Sequence, residues 1–538
     1  MNFMATKMKN LYSFDYFLSI RDSLDDFDNP FLQEVFRTYT NDNWDNVYTS
    51  LKALSNKTSF RWRKFSEENA RIENHPKIRH YDAYNHRIDK IIRPQEMHQL
   101  EKEVFSEGLF SSQITEMESA MKRYLLHSNG EAGIMCPLAC TDGLIAILEM
   151  FSEQLSPELL HILRHAKDGI NGDFAIGAQF MSEIQGGSNI PANLLEAVPH
   201  DGHYKLFGNK FFCSASHADY SVVTARIQGS NHVSVFIVPT WLEGNKEKNI
   251  RNGHVINRLK WKLGTTELPS AEINYDGAIA YQIGPIDKGV ALAVSVVLTR
   301  SRLDIGFGSA SFMMRAAREA LLYAHFRDVF GRKINDFPMA NAQIEEIVQT
   351  AKRATATIFK IYTQYLQTQQ ENSIDTKQGF TVRELILIQK IYSAKETVDT
   401  LRAAISIFGG HGAIEDFSSI PRLFRDSMVN ELWEGPKNVL LSQIYRDLQK
   451  NTAWYPPHEF MTNLLEDLDK ETIHSLSQKL QNLLKINLYD YPTTENKKAA
   501  KEWEQLWEDV YLLYQEQALN EIDDLPIINN DVLKSLMK

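Results

Sequence analysis

Cysteine is scarce in this chain: 538 residues carry only Cys136, Cys140 and Cys213. Three thiols cannot build a disulfide framework, and no pair has C-x-x-C spacing, so buried thiols in a reducing compartment are the expected state. The 26 Gly and 17 Pro are too few for a collagenous or low-complexity chain. Long apolar runs are missing too. The longest clean one, around Gly289–Thr299, is too short to cross a bilayer. The segment Met1–Leu18 holds Lys7, Lys9 and Asp15 and no uninterrupted apolar core, which argues against a secretory leader and for a cytoplasmic protein. Positive charge is in deficit, with 58 Lys and Arg against 69 Asp and Glu. Phosphate-backbone binding needs a positive field, so nucleic acid is not an expected partner. No Ser-His-Asp signature, H-E-x-x-H pair or G-x-x-x-x-G-K-S/T loop occurs, and no metal site is expected.

Aromatic residues, by contrast, are plentiful: 28 Phe, 21 Tyr and 8 Trp. They can bury large cores and exclude disorder as the dominant state. At roughly 150 residues per domain the length suggests three or four domains. Residues 1–172 read as a helical N-terminal domain, with Ile114, Met117, Met121, Tyr124 and Leu125 on one side of one helix. Residues 173–285 change to short β-branched or aromatic stretches: Tyr204–Ser214 with a turn at Gly208-Asn209, Tyr220–Ile227, Val233–Pro239 and Ala271–Tyr275. Such spacing implies a middle β-barrel or sandwich. Residues 286–450 return to helical period, with long helices expected over about 290–330, 338–369 and 381–408, hence a bundle. Residues 451–538 follow Trp454-Tyr-Pro-Pro457, carry a net charge of −8 and read as a separate acidic helical appendix. The order is that of an α+β protein built from modules.

Five constellations can carry chemistry. In Met181-Ser-Glu-Ile-Gln-Gly-Gly-Ser-Asn189, the Gly pair lets a backbone approach a ligand, and Ser182 and Ser188 can bond its polar atoms. Lys210-Phe-Phe-Cys-Ser214 can set a ring against a planar ligand, with strand alternation sending Phe212 and Ser214 to one face. In Asn430-Glu-Leu-Trp-Glu-Gly-Pro-Lys-Asn438, Glu434 beside Gly435 is an accessible carboxylate. In an apolar, aromatic-lined pocket its pKa rises toward neutrality, which makes a competent base. Arg327 in Phe326-Arg-Asp-Val-Phe-Gly331 can hold an anionic pyrophosphate. Ser406-Ile-Phe-Gly-Gly-His-Gly412 either allows close backbone approach or caps a helix at Gly409. Each alone also has a plain structural explanation. Gly306-Phe-Gly308 lies within helical period and reads as close helix packing.

Together, in this order and spacing, these segments resemble the acyl-CoA dehydrogenase family and, more narrowly, its AidB-like branch. The branch resemblance also rests on Tyr81-Asp-Ala83, Glu131-Ala-Gly133 with Cys136-Pro137, Arg258-Leu-Lys-Trp-Lys-Leu-Gly264 and Pro421-Arg-Leu-Phe-Arg425. It covers about residues 75–450. The resemblance implies a helical N-terminal domain, a middle β-barrel and a C-terminal four-helix bundle around FAD, assembled as a homotetramer or dimer of dimers. It places Met181, Ser182, Gly187 and Ser188 along the flavin and its pyrophosphate, and Phe211, Phe212 and Ser214 at the ring. Arg327, Phe330, Gly409 and Gly410 would reach the FAD of a neighbouring subunit. Trp433, Gly435 and Asn438 would border the flavin, Glu434 would be the catalytic base, and Arg302 would meet substrate.

The implied reaction is α,β-dehydrogenation of an acyl-CoA, with electrons passed to an electron-transfer flavoprotein or other acceptor. The implied alternative is an AidB-like flavoprotein with a stress, acyl-CoA-sequestering or DNA-associated role and little turnover. Departures from the family pattern are Pro436 in place of a small hydroxyl residue, Asn189 in place of Asp, and Thr299 in place of an acidic residue.

Overall fold

The computed structural model describes residues 12–40, 43–371, 373 and 376–537. Lys7 and Lys9 therefore lie outside the described residues. About 58% of the chain is helical, and the helices surround a barrel-like sheet.

The N-terminal region is mostly helical but holds an antiparallel hairpin, β1 (Lys77–Tyr81) and β2 (Arg87–Ile92), which the helical reading missed. Its signal was a turn: Asp82 Oδ1 accepts from the N–H of Tyr84 and His86 at 2.8 and 2.9 Å, and Asn85 takes a positive φ of 65°. Two helices from this region reach the site, α1 (Glu116–His127) and α2 (Ala132–Met150). The second corrects the reading of apolar runs, because it is the helix among the described residues long and apolar enough to cross a membrane. Here it is a core element, with 78% of its apolar window buried, and its Asp142 pairs with Arg123 at 3.1 Å.

The middle region is one sheet of β3 (Gly177–Phe180), β4 (Glu196–His200), β5 (His203–Ser214), β6 (Tyr220–Ile227), β7 (Val233–Pro239), β8 (His254–Leu259) and β9 (Ser270–Ile283). The order β3-β6-β4-β5-β9-β7 closes on itself through β6–β7 pairing, and β8 adds to β9. Gly208 and Asn209 do not make a turn. They lie inside the continuous strand β5, opposite Tyr275 and Asn274. Gly208 is required there because its φ is 127° and a Cβ would stand 3.3 Å from Leu195.

After a short π-helical entry, the bundle comprises α3 (Leu298–Phe326), α4 (Pro338–Gln370), α5 (Lys377–Phe408), α6 (Ile420–Asn430) and α7 (Lys437–Asn451). Gly306 on α3 is packed tightly: a Cβ would meet Ile358 Cδ1 at 2.4 Å and Gln389 Nε2 at 2.5 Å, from α4 and α5. The acidic C-terminal region is not a separate body. Its long helix α8 (Thr494–Asn520) buries Trp503 and Trp507 in the same apolar core as α3–α7, together with Tyr455 and Phe460. Phe31 and Phe36 from the helix Pro30–Tyr39, and Phe27 from the turn before it, enter that core too. Trp507 is fully buried, so Trp507→Ala is expected to cost about 3–5 kcal/mol. Calorimetry should show the main bundle transition itself falling, whereas loss of a separate minor transition alone would mean the region folds apart from the bundle.

Candidate active site

A cleft of about 900 Å³ opens where the barrel meets α2, the start of α3 and the turn between α6 and α7. Its barrel wall begins at β3 and runs into Met181–Ser188. This loop is fastened from behind by a buried ion pair: Lys210 Nζ lies 2.9 Å from Glu183 Oε1 and donates to the Met181 carbonyl at 3.1 Å. Burial lowers the Lys210 pKa to about 8, with Glu183 opposing that effect. Burial works to raise Glu183, but Lys210 and the Leu194 N–H outweigh it and hold the carboxyl below its ordinary value. Gly186 has a φ of 155° with open space where a Cβ would be, and a Cβ at Gly187 would strike Ser182 Oγ at 2.5 Å. Backbone therefore lies bare to the cleft here.

The next wall is β5. Between Lys210↔Ile273 and Cys213↔Ala271 the ladder slips, so Phe211 and Phe212 together oppose Glu272. This bulge replaces simple alternation. Both rings line the cleft with Ser214, and they meet edge-on at 5.2 Å. Lys260 Nζ sits 3.2 Å from the Phe211 ring centre, a cation–π contact. Lys262 Nζ donates to Ser270 Oγ at 2.9 Å, and Ser270 Oγ is 2.9 Å from Ser214 Oγ. Ser270 accepts from Lys262, and one of the two hydroxyls, Ser270 or Ser214, donates to the other.

Glu434 faces these walls from the α6–α7 turn. It has a φ of 57°, a left-handed conformation costly for a non-glycine residue. Three contacts hold it there. Arg302 Nε donates to its carbonyl at 3.1 Å. Lys390 Nζ donates to the carbonyls of Glu431 at 2.9 Å and Gly435 at 2.6 Å. Gln179 Nε2, on β3, donates to Oε1 at 2.8 Å. Burial raises the Glu434 pKa, and Arg302, Lys390 and the Gln179 hydrogen bond offset only part of that rise. Burial also lowers Lys390 to about 7 and Arg302 to about 10. Among the described residues, no acceptor takes the Glu434 N–H.

The cleft thus brings together Met181, Ser182, Gly187, Ser188, Phe211, Phe212, Ser214, Arg302, Trp433, Glu434 and Gly435. Arg302 lines the cleft, as a substrate contact requires, and its Nε also holds the turn of the base. Arg327, Phe330, Gly409, Gly410 and Asn438 are not part of this cleft within one chain. Phe330 is 97% exposed on a tight hairpin turn, Arg327 lies 4.4 Å from the Tyr12 ring, and Gly409 and Gly410 face open space. The sequence reading missed Gln179, Lys390 and the Lys262–Ser270 pair. The first two carried no motif. Lys262 lay inside the quoted Arg258–Gly264 segment without a role.

Comparison with known proteins gives the family. The acyl-CoA dehydrogenase C-terminal domain matches residues 287–449, and the adaptive response protein AidB N-terminal domain matches residues 25–167. Acyl-CoA dehydrogenase family member 11 of Caenorhabditis elegans is 30% identical over 395 residues, covering 69% of this chain. The chain spans 62% of that relative's length. AidB of Escherichia coli (strain K12) is 28% identical over 399 residues, covering 71% of each. Among solved structures, Bd2924 in its apo-form superposes with a TM-score of 0.81 at 25% identity, covering 92% of this chain and 98% of its own. C. elegans ACDH-11 in complex with C11-CoA gives 0.78 at 23%, covering 94% and 91%. The chain belongs to the acyl-CoA dehydrogenase family, in its AidB-like branch.

The buried ion pair behind the loop gives a stability test. Lys210→Met strands the Glu183 charge, whose side chain is 3% exposed, and is expected to cost about 3–5 kcal/mol. Adding Glu183→Gln should recover part of the loss in a double-mutant cycle. Equal melting temperatures for wild type and Lys210→Met would contradict the role given to the pair.

Proposed function

We propose that this chain is an FAD-dependent acyl-CoA dehydrogenase that desaturates an acyl-CoA thioester between its α and β carbons, with Glu434 as the base. The observation that carries the reading is a carboxylate on a strained, three-point-held turn, its pKa raised by burial, facing a cleft lined by bare glycine backbone and two aromatic rings. The cleft fits FAD on its own residues. The volume admits the ring system, the Gly186-Gly187 backbone with Ser188 suits a pyrophosphate, and the bulged Phe211-Phe212 pair presents flat apolar surface to an isoalloxazine. FAD is the cofactor of the family, and when bound it supplies the hydride acceptor.

The chain supplies the rest. Glu434 removes the α-proton, and its raised pKa gives the carboxylate the basicity the task needs. Its own N–H is directed by the same turn and is available to a thioester carbonyl, where negative charge grows as the proton leaves. The Lys262–Ser270–Ser214 chain fixes the Ser214 hydroxyl at the cleft wall, where it can bond a polar atom of the ligand. Pro436 removes one backbone donor beside the turn, so the carbonyl clamp by Lys390 carries more of the positioning. The C11-CoA held by ACDH-11 supports an acyl-CoA as the ligand class. An electron-transfer flavoprotein is the proposed acceptor. A homotetramer or dimer of dimers is the proposed assembly, with half-buried Arg327 and exposed Phe330 serving a neighbour's site.

Anaerobic bleaching of bound flavin by acyl-CoA tests the reading. Glu434→Gln should keep the flavin and slow bleaching about 10²–10⁴-fold. In wild type the rate should rise with pH through the raised pKa of Glu434, because only the carboxylate accepts a proton, and this limb should vanish in Glu434→Gln. Bleaching at the wild-type rate in the variant would remove Glu434 from the mechanism.

Lys390→Met should keep the flavin and slow bleaching about 100-fold through misplacement of the turn. It should also move the pH limb upward, because a cation that favours ionised Glu434 is gone. An unmoved limb would reduce Lys390 to a packing role.

A further inference from the structure

Beyond Glu434 the cleft continues along α3 to a polar group that proton removal does not use. From Arg302, which holds the Glu434 carbonyl, to Gly308 the helix advances about 9 Å. The wall there is His127, at the end of α1. A Cβ on Gly308 would stand 3.0 Å from both its Cε1 and its Nδ1. His127 is 6% exposed and lines the cleft.

Its Nε2 lies 3.1 Å from Asp304 Oδ2, and Arg123 donates to Asp304 Oδ1 at 3.1 Å. Burial opposes ionisation of Asp304, but His127 and Arg123 outweigh it and hold the carboxyl below its ordinary value. A carboxylate only accepts, so the His127 Nε2 carries a proton. Nδ1 has no hydrogen-bond partner among the described residues. The neighbouring wall is small or apolar: Gly130, Ala132, Ile305 and Phe312, whose ring centre is 6.5 Å from that of His127. Nδ1 is open to the cleft, so a ligand that displaces water there without replacing its hydrogen bond loses affinity, and a ligand that supplies the partner does not.

We propose that His127 is a specificity-determining residue whose Nδ1 hydrogen-bonds a hydroxyl group carried on the distal part of the acyl chain. This rests on the acyl-thioester reading of the cleft and narrows its substrate class to hydroxyacyl thioesters. A hydroxyl suits either state of the ring. It donates to Nδ1 of the neutral imidazole and accepts from Nδ1–H of the imidazolium. A methyl terminus leaves Nδ1 unpaired in both. Gly308 is the residue that leaves room for the ring against the helix.

The test compares anaerobic flavin reduction by hexanoyl-, octanoyl- and decanoyl-CoA with their ω-hydroxy counterparts, using the FAD-loaded full chain. At one chain length or more, the hydroxylated thioester should gain about tenfold in reduction rate over dissociation constant. His127→Phe should erase that gain. A second readout needs no variant: a crystal structure with the preferred hydroxyacyl-CoA should place its hydroxyl within hydrogen-bond distance of Nδ1. No gain at any length, a gain retained in His127→Phe, an ω-carboxyl analogue preferred over the hydroxyl, or a hydroxyl seated away from Nδ1 would each overturn the assignment. If no acyl-CoA of either kind reduces the flavin, the dehydrogenase reading itself fails. If the unsubstituted chains reduce it equally well, only the hydroxyl specificity fails.

Discussion

Burying the carboxylate of Glu434 is the constraint around which the site is arranged. A buried, unpaired negative charge is expensive, and a left-handed backbone at a residue with a Cβ adds strain. The structure offsets both with groups from three separate elements: Gln179 on β3, Arg302 on α3 and Lys390 on α5. None of the three neutralises the group, because burial still holds its pKa above the ordinary value. The result is a carboxylate fixed in place, kept basic and left facing a cavity. That requirement also explains why the barrel and the bundle must meet at this point, since neither alone supplies all three contacts.

The same division of labour runs through the walls of the cleft. Charges that hold the shape are buried and paired behind it, as Lys210 with Glu183 and Arg123 with Asp142 and Asp304. The surfaces that face the cavity add glycine backbone, aromatic rings and hydroxyls to Glu434, His127 and the side chains of Lys260 and Lys262. Such a surface suits a ligand that is flat at one end, charged along its length and apolar elsewhere, which is the description of a flavin nucleotide beside an acyl thioester. The C-terminal region contributes indirectly. By burying Trp503 and Trp507 against the bundle it completes the core from which α3 and α5 project Arg302 and Lys390.

Much of this was legible in the sequence, because periodicity reports burial directly. The three long helices were expected over about 290–330, 338–369 and 381–408. They occupy Leu298–Phe326, Pro338–Gln370 and Lys377–Phe408, with the first preceded by a π-helical turn. Glu434, the Gly186-Gly187 loop and the Phe211-Phe212 pair, each with a plain structural explanation alone, were legible through their order and spacing along the chain. What escaped was long-range. Gln179 and Lys390 are 255 and 44 positions from Glu434 and join it only through the tertiary fold. The bulge at Phe211 is invisible to a rule of strict alternation, and Gly208 resembled a turn because the same freedom that makes turns also lets a strand pass close to Leu195. The acidic appendix looked separate because net charge reports the solvent face of a helix, not the stripe of Trp and Tyr it buries.

The central claim is that Glu434, held on its strained turn, takes the proton from the carbon next to a bound thioester. Exchange of that proton with solvent deuterium, followed by NMR on an acyl-CoA incubated anaerobically with the FAD-loaded chain in D₂O, measures this step apart from any hydride transfer. The account predicts exchange at the α position in wild type and its loss in Glu434→Gln at equal occupancy by acyl-CoA. Undiminished exchange in the variant, with the ligand bound, would contradict it.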